Sequence, residues 1–309
     1  MDVLAQRQEL AVLTEVSAAL ADTALDLPVV LDTIADLLVT HVSDAAGVYL
    51  LRDDAVTLDL MSVASVDPMM CELFEQALGG RPRRADDPGP IGRCFATRTP
   101  VVVNEIEPAA LRVQTPEHYH GILERYPAHS LCYVPLMAGG DQLGVLAVTR
   151  FRTPHGFDDV EVDLVCNTAE LTAPSIANAV LHERLAETTA LFETAFAHAP
   201  IGMAIHAGDD GPSRFVRVNA ALCDLLGRAE DALIGMPVTS AVDASDRELV
   251  EQLLAQVAAG ELEEHEDDLL LLRADGSTVP AWISSRAVRS EDGRRLLLSQ
   301  VQPLTGPAG

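Results

Sequence analysis

The feature that most constrains this chain is a helical pattern running from about Asp158 to Ala199, with strand-rich sequence on both sides. Such a run far exceeds the usual globular helix, so it reads as a connector leaving one domain and entering another. Seven-residue spacing places Leu164, Leu171, Asn178, Leu185 and Phe192 on one seam, with Leu181, Thr188 and Ala195 among the alternate positions. That seam suits a parallel pair of helices, although it is partial and polar in places. Pro174 lies inside it and removes a backbone donor, so the sequence predicts a kink or a break there.

With 309 residues, the chain is about twice a usual domain length, and each half can bury its own core. Leu10, Leu13, Val16 and Leu20 recur at helical spacing, and a second helix starts near Pro28 with Val30, Ile34, Leu37 and Leu38 on one face. Gly47–Leu51, the pair Asp53-Asp54 and the alternation Val56, Leu58, Leu60 read as a hairpin. A helix around Met69–Leu78 is followed by a polar, Pro-rich excursion as far as Pro90, read as a mobile loop. Strands follow at Pro100–Val103, Leu131–Met137 and Leu143–Val148, the last two joined by the turn Gly139-Gly140-Asp141.

Beyond Pro200 the pattern restarts with strands at Ile201–His206 and Arg214–Val218 around the turn residues 208–212. Helices are expected at Asn219–Leu226, Glu230–Leu233 and Ser245–Ala259, then strands at Glu263–Arg273, Thr278–Arg289 and Arg294–Gln302 with turns at 275–277 and 291–293. The expected fold class is therefore α+β: two domains, each a central antiparallel β-sheet flanked by helices, joined by the long connector helix.

Composition removes several functions. The net charge of −26 repels phosphate backbones and anionic lipid, so neither nucleic acid nor membrane is an expected partner. No stretch approaches the roughly 18 apolar residues of a membrane span, and Met1-Asp2-Val3 does not open a secretory signal, so the expected compartment is the cytoplasm. Every basic residue is arginine, which removes the lysine of a phosphate loop or Schiff base. Five scattered cysteines read as reduced, mostly buried thiols.

Two groups of residues carry a family resemblance. The first half resembles a GAF domain through Gly89-Pro90-Ile91-Gly92-Arg93, Thr99–Val103, Val134-Pro135-Leu136 and Gly144–Val148. The second resembles a PAS domain through Ala197–Ile205, Val218–Gly227, Leu233–Met236 and Arg273–Ser277. The corresponding bounds are 1–185 for the GAF-like domain with its N-terminal helix, 158–199 for the shared connector, 200–303 for the PAS-like domain and 304–309 for a disordered tail. The pair implies a sensor of the kind found in bacterial, here expected actinobacterial, signal-transduction proteins. In such proteins a sheet walls a small-molecule pocket, and the N-terminal and connector helices dimerise and relay the change to a downstream effector. Two alternatives stay open: the input half of a longer signalling enzyme (diguanylate cyclase, sensor histidine kinase or protein phosphatase), and a ligand-free dimerisation scaffold.

The ligand stays unnamed by these motifs. The Asn-Lys pattern of cyclic-nucleotide GAF domains cannot occur without lysine, no cysteine precedes a histidine as for covalent bilin, and Pro237–Ala241 stands where flavin photosensors carry their reactive cysteine. Covalent bilin and photoreactive flavin are disfavoured, and haem is left open. The pocket candidates are Arg93 and Tyr133 in the first domain and Asn219 and Trp282 in the second, each as plausible a brace as a ligand contact. His118-Tyr119-His120 with His129 offers imidazoles but reads as a surface helix without supporting ligands. His182-Glu183 lacks the proline of a phosphoacceptor box, and the acidic run Glu261–Asp268 alternates faces and so reads as a charged strand edge. No catalytic constellation and no metal site emerge, so the chain itself is expected not to be an enzyme.

Overall fold

The structure is a computed structural model describing residues 11, 13–18, 26–78, 82–152, 154–208, 212–290 and 294–304. The chain divides into two compact units, Met1–Ala186 and Glu187–Gly309. In the first, residues 13–18 are helical and Val16 is fully buried, whereas Leu10 and Leu20 lie outside the described residues. Helix α1 (Leu27–His41) starts at Asp26, whose side chain accepts from the Val29 N–H, with Pro28 in the first turn where its missing donor costs nothing. Its Val30, Leu31, Ile34 and Leu38 are buried at helical spacing, contributing roughly 2 kcal/mol each.

The remaining elements of this unit are β1 (Ala45–Leu51), β2 (Thr57–Ser65), α2 (Pro68–Leu78), β3 (Arg83–Arg84), α3 (Pro90–Thr97) and β4 (Val101–Val103), then α4 (Pro108–Val113), α5 (His120–Arg125), β5 (Ser130–Ala138) and β6 (Asp141–Arg150). The strands form one antiparallel sheet in the order β3-β2-β1-β6-β5-β4. Gly139 and Gly140 take φ of 60° and 94°, which lets the β5–β6 hairpin close as the sequence expects.

Alternation sorts the sheet's two faces. Cys132, Val134 and Leu136 of β5 join Ala46, Val48 and Leu50 of β1 in the core shared with α1, while Leu131 and Tyr133 join Tyr49 and Val145 in a second core. Within the polar excursion before Pro90, Arg83 and Arg84 pair with Leu58 and Thr57, and from Pro90 a helix follows where the sequence reading assigned no element. Close backbone approach holds that segment, since a Cβ on Gly92 would lie 2.0 Å from the Asp87 carbonyl oxygen.

Helix α6 (Asp159–Ala197) continues through Pro174, so of the expected kink or break the break does not occur. Val165, Ala169, Ala173, Ile176 and Ala179 bury one face in the first core, while Pro174 and Glu170, the residue whose carbonyl loses its donor, both lie on the exposed side. Water can therefore satisfy that carbonyl, and packing holds the helix across the gap. Of the heptad seam, Leu164 is buried, whereas Leu171, Leu181, Leu185 and Phe192 are exposed.

The second unit comprises β7 (Gly202–Ala207), β8 (Arg214–Val218), α7 (Ala220–Leu226), α8 (Glu230–Leu233), α9 (Arg247–Ala259), β9 (Glu264–Leu272), β10 (Thr278–Arg289) and β11 (Arg295–Pro303). Its sheet order is β8-β7-β11-β10-β9, which puts the acidic segment on an edge, Glu264, Glu266 and Asp268 outward and Leu269 and Leu271 inward. Residues 209–211 of the expected turn at 208–212, the expected turn at 291–293 and residues 305–309 of the expected tail at 304–309 lie outside the described residues. No helix among the described residues is long and apolar enough to cross a membrane.

Candidate functional site

The face of the first sheet turned away from α1 and α6 carries a cavity of about 80 Å3, room for several waters. Its sheet wall is Ala45, Gly47 and Tyr49 of β1, Leu60 and Val63 of β2, Leu131 and Tyr133 of β5 and Ala147 and Thr149 of β6. Met70, Phe74, Tyr119, Ile122 and Tyr126 close it from α2 and the segment around α5. All four tyrosines of the chain line this one cavity.

Among the described residues, the only charged side chain lining the cavity is Arg83. It is 6% exposed, its Nε has no hydrogen-bond partner, and the Asp87 carboxylate stands 3.8 Å away, beyond hydrogen-bond reach. Its guanidinium carbon lies 4.9 Å from the centre of the Tyr119 ring, a cation–π contact. Burial works against the charge, but the attraction of the surrounding tyrosines in their ionised form and of Asp87 outweighs it, so the guanidinium's pKa is raised on balance. Burial also pushes the Tyr119 phenol well up and Tyr133 up to about 12, so both are neutral at pH 7. The Tyr119 hydroxyl is buried without a hydrogen-bond partner, whereas Tyr126 donates to Asp67 at 2.9 Å.

Of the four candidates named from sequence, Tyr133 lines this cavity. Arg93 does not: α3 buries Ile91, Gly92 and Cys94, leaving Arg93 on the exposed face. The arginine at the cavity is Arg83, on a two-residue strand too short to show any periodicity. Nor is His118–His120 a plain surface helix, for Tyr119 between the histidines is buried against Phe74 at a 72° ring angle. His120 Nε2 meets the carbonyls of Arg112 and Thr115. Among the described residues no group of three His, Cys, Asp or Glu is placed to hold a metal.

A smaller cavity, about 50 Å3, lies in the second unit among Phe215, Leu222, Val242, Val250, Leu269 and Ile283. Its polar part is a chain: His206 Nδ1 meets Ser213 Oγ at 2.8 Å, His206 Nε2 meets Ser299 Oγ at 2.8 Å, and Ser299 meets Ser285 at 2.7 Å. Burial, with a smaller contribution from His265, lowers the His206 pKa to about 4, so it is neutral at pH 7. Burial lowers His265 too, against the pull of Asp267, and its Nδ1 is buried without a partner.

Asn219 and Trp282 do not line this second cavity. Asn219 is a brace: its Oδ1 accepts from the Met203 and Leu222 N–H groups at 2.8 and 3.0 Å, capping α7, and its Nδ2 donates to the Ile201 carbonyl at 2.8 Å. Trp282 falls on the other face of β10 because Ala281, Ile283 and Ser285 alternate with it toward the core.

Residues 24–177 match the family model described as GAF domain, and residues 200–301 match that described as PAS domain. Solved structures give partial likenesses. The GAF domain from a phosphoenolpyruvate-protein phosphotransferase of Coxiella burnetii is 18% identical, covering 58% of this chain and 98% of that one, with a TM-score of 0.48. The PAS domain of an HTR-like protein from Haloarcula marismortui is 24% identical over 40% of this chain and 98% of that one, with a TM-score of 0.35. A PAS domain in complex with ethanol, from a LuxR-family transcriptional regulator of Burkholderia thailandensis, is 20% identical over 37% and 98%, with a TM-score of 0.31. No curated protein matches the chain. With two antiparallel sheets in the expected order and a family model on each, the chain carries a GAF domain followed by a PAS domain, the sensory domains typical of signal-transduction proteins.

Proposed function

We propose that the chain is a cytoplasmic sensor in which a small molecule occupies the GAF cavity and helix α6, paired with its counterpart in a homodimer, passes the change to a downstream effector. The observation that carries this reading is the GAF cavity itself, apolar and aromatic around a buried arginine whose Nε lacks a hydrogen-bond partner. Buried polar groups are normally satisfied, and a missing partner is a reason to look for a ligand. The exposed Leu171, Leu181, Leu185 and Phe192 at near-heptad spacing support the dimer. The chain works here by binding rather than by catalysis, and any enzyme activity belongs to what it signals to.

Native mass spectrometry of the purified protein, with light scattering at micromolar concentration, tests both parts. A dimer carrying or accepting a small molecule is expected. A monomer would end the relay through paired helices, and a protein that neither carries nor takes up any small molecule would leave the scaffold reading standing.

A further inference from the structure

We propose that the GAF cavity selects a small monocarboxylate with a flat apolar body, held by Arg83 with help from the Tyr119 and Tyr133 hydroxyls. This rests on the cavity being a ligand site and names the class of ligand.

Charge decides the class. Among the described residues Arg83 is the one charged residue lining the cavity, and no carboxylate lines it. A cationic ligand would be buried beside a like charge, and a neutral one would leave the guanidinium desolvated without a full partner. Asp87 answers part of that charge, but 3.8 Å from Nε is too long for a hydrogen bond. A carboxylate fits the planar fork of the guanidinium in the two-pronged manner that arginine favours. A dianion would bring a second negative charge into a site with one cation, at a desolvation cost nothing there offsets.

The neutral phenols complete the set. Tyr119 has a buried hydroxyl with no partner, and Tyr133 lies close enough to Arg83 for the guanidinium to hold its pKa down against burial. Both can donate to an anion. The rest of the wall, with Tyr49, Phe74 and Tyr126, favours a flat apolar body packed against ring faces and edges. The net charge of −26 repels anions at a distance, but at 0.1 M salt that field is screened beyond about 10 Å, so the local cation governs the bound state.

The test is calorimetric titration of the full chain with benzoate, benzamide and benzylamine, which share a ring and differ in charge. Benzoate is expected to bind at least 10-fold tighter than benzamide, and benzylamine not at all. Arg83→Met should erase that preference, and Tyr119→Phe should weaken benzoate several-fold. If Arg83→Met does not fold by circular dichroism, Arg83→Lys, which keeps the charge and loses the fork, should weaken benzoate in its place. Equal binding of benzoate and benzamide, or a preference that survives loss of the arginine, overturns the carboxylate class and leaves a ligand-binding cavity intact. Failure of every probe, with a different molecule found on the protein by native mass spectrometry, ends this assignment but not the sensor reading. Failure of both ends both.

Discussion

The two cavities treat polar groups in opposite ways. In the GAF domain a permanent charge and a phenol are buried with hydrogen-bonding capacity to spare, Arg83 Nε and Tyr119 Oη both lacking a partner. In the PAS domain His206 uses both ring nitrogens on serines, and only His265 Nδ1 at the cavity is left over. A cavity whose polar groups satisfy one another is close to self-sufficient, while one that leaves them open is incomplete. The difference teaches that two sensory folds of similar plan can satisfy their buried polar groups to unequal degrees.

Acid should strike the PAS side hardest. His206 has a folded pKa of about 4 against an ordinary 6.5. Between those values the unfolded chain binds a proton that the folded one refuses, so this stability is complete above about pH 6.5 and is lost as pH falls through 4, a total of roughly 3 kcal/mol. His265, also lowered, acts in the same direction. Hydrogen exchange of β7 and β11 peptides should show protection falling over that window, and His206→Gln should flatten the fall. An unchanged slope in the variant would remove the histidine from the account.

Ser299→Ala comes next. It strips a partner from His206 and from Ser285 in one step, and should cost roughly 2 kcal/mol in the same peptides at pH 7. Arg83→Met should have the smallest effect without ligand, within about 1 kcal/mol of wild type in β2 and β5 peptides, because replacing a poorly paired buried charge by an apolar side chain of similar length relieves its desolvation. A loss of several kcal/mol there would make Arg83 a strut and erase the contrast between the two cavities.

Much of this was legible in sequence and some was not, for identifiable reasons. Long alternating or helical patterns such as β5, β6, α1 and α6 carry enough residues to announce the element, and in α1 the buried face too, whereas most of the seam read along α6 is exposed. Strand β3 has two residues, no period, and pairs with a strand about 25 positions earlier, so nothing local marks Arg83. A usable signal existed all the same. A chain with only four tyrosines places every one in the GAF half, and three of them, Tyr119, Tyr126 and Tyr133, fall close together. Arg93 follows a glycine, Gly92, whose role is the close approach of α3 to Asp87, and the parity of Trp282 along β10 puts it on the face away from the cavity. At Pro174 the packing of Ala173 and Ile176 on either side keeps the helix continuous where local propensity alone allows a break.

The sorting of aromatic side chains has an optical consequence. All four tyrosines belong to the GAF cavity, and the single tryptophan, Trp282, belongs to the PAS sheet on the face away from its cavity. Tyrosine difference absorbance therefore reports occupancy of the first domain, and tryptophan emission reports the integrity of the second. Without any label, one sample can show whether filling one cavity is felt in the other domain.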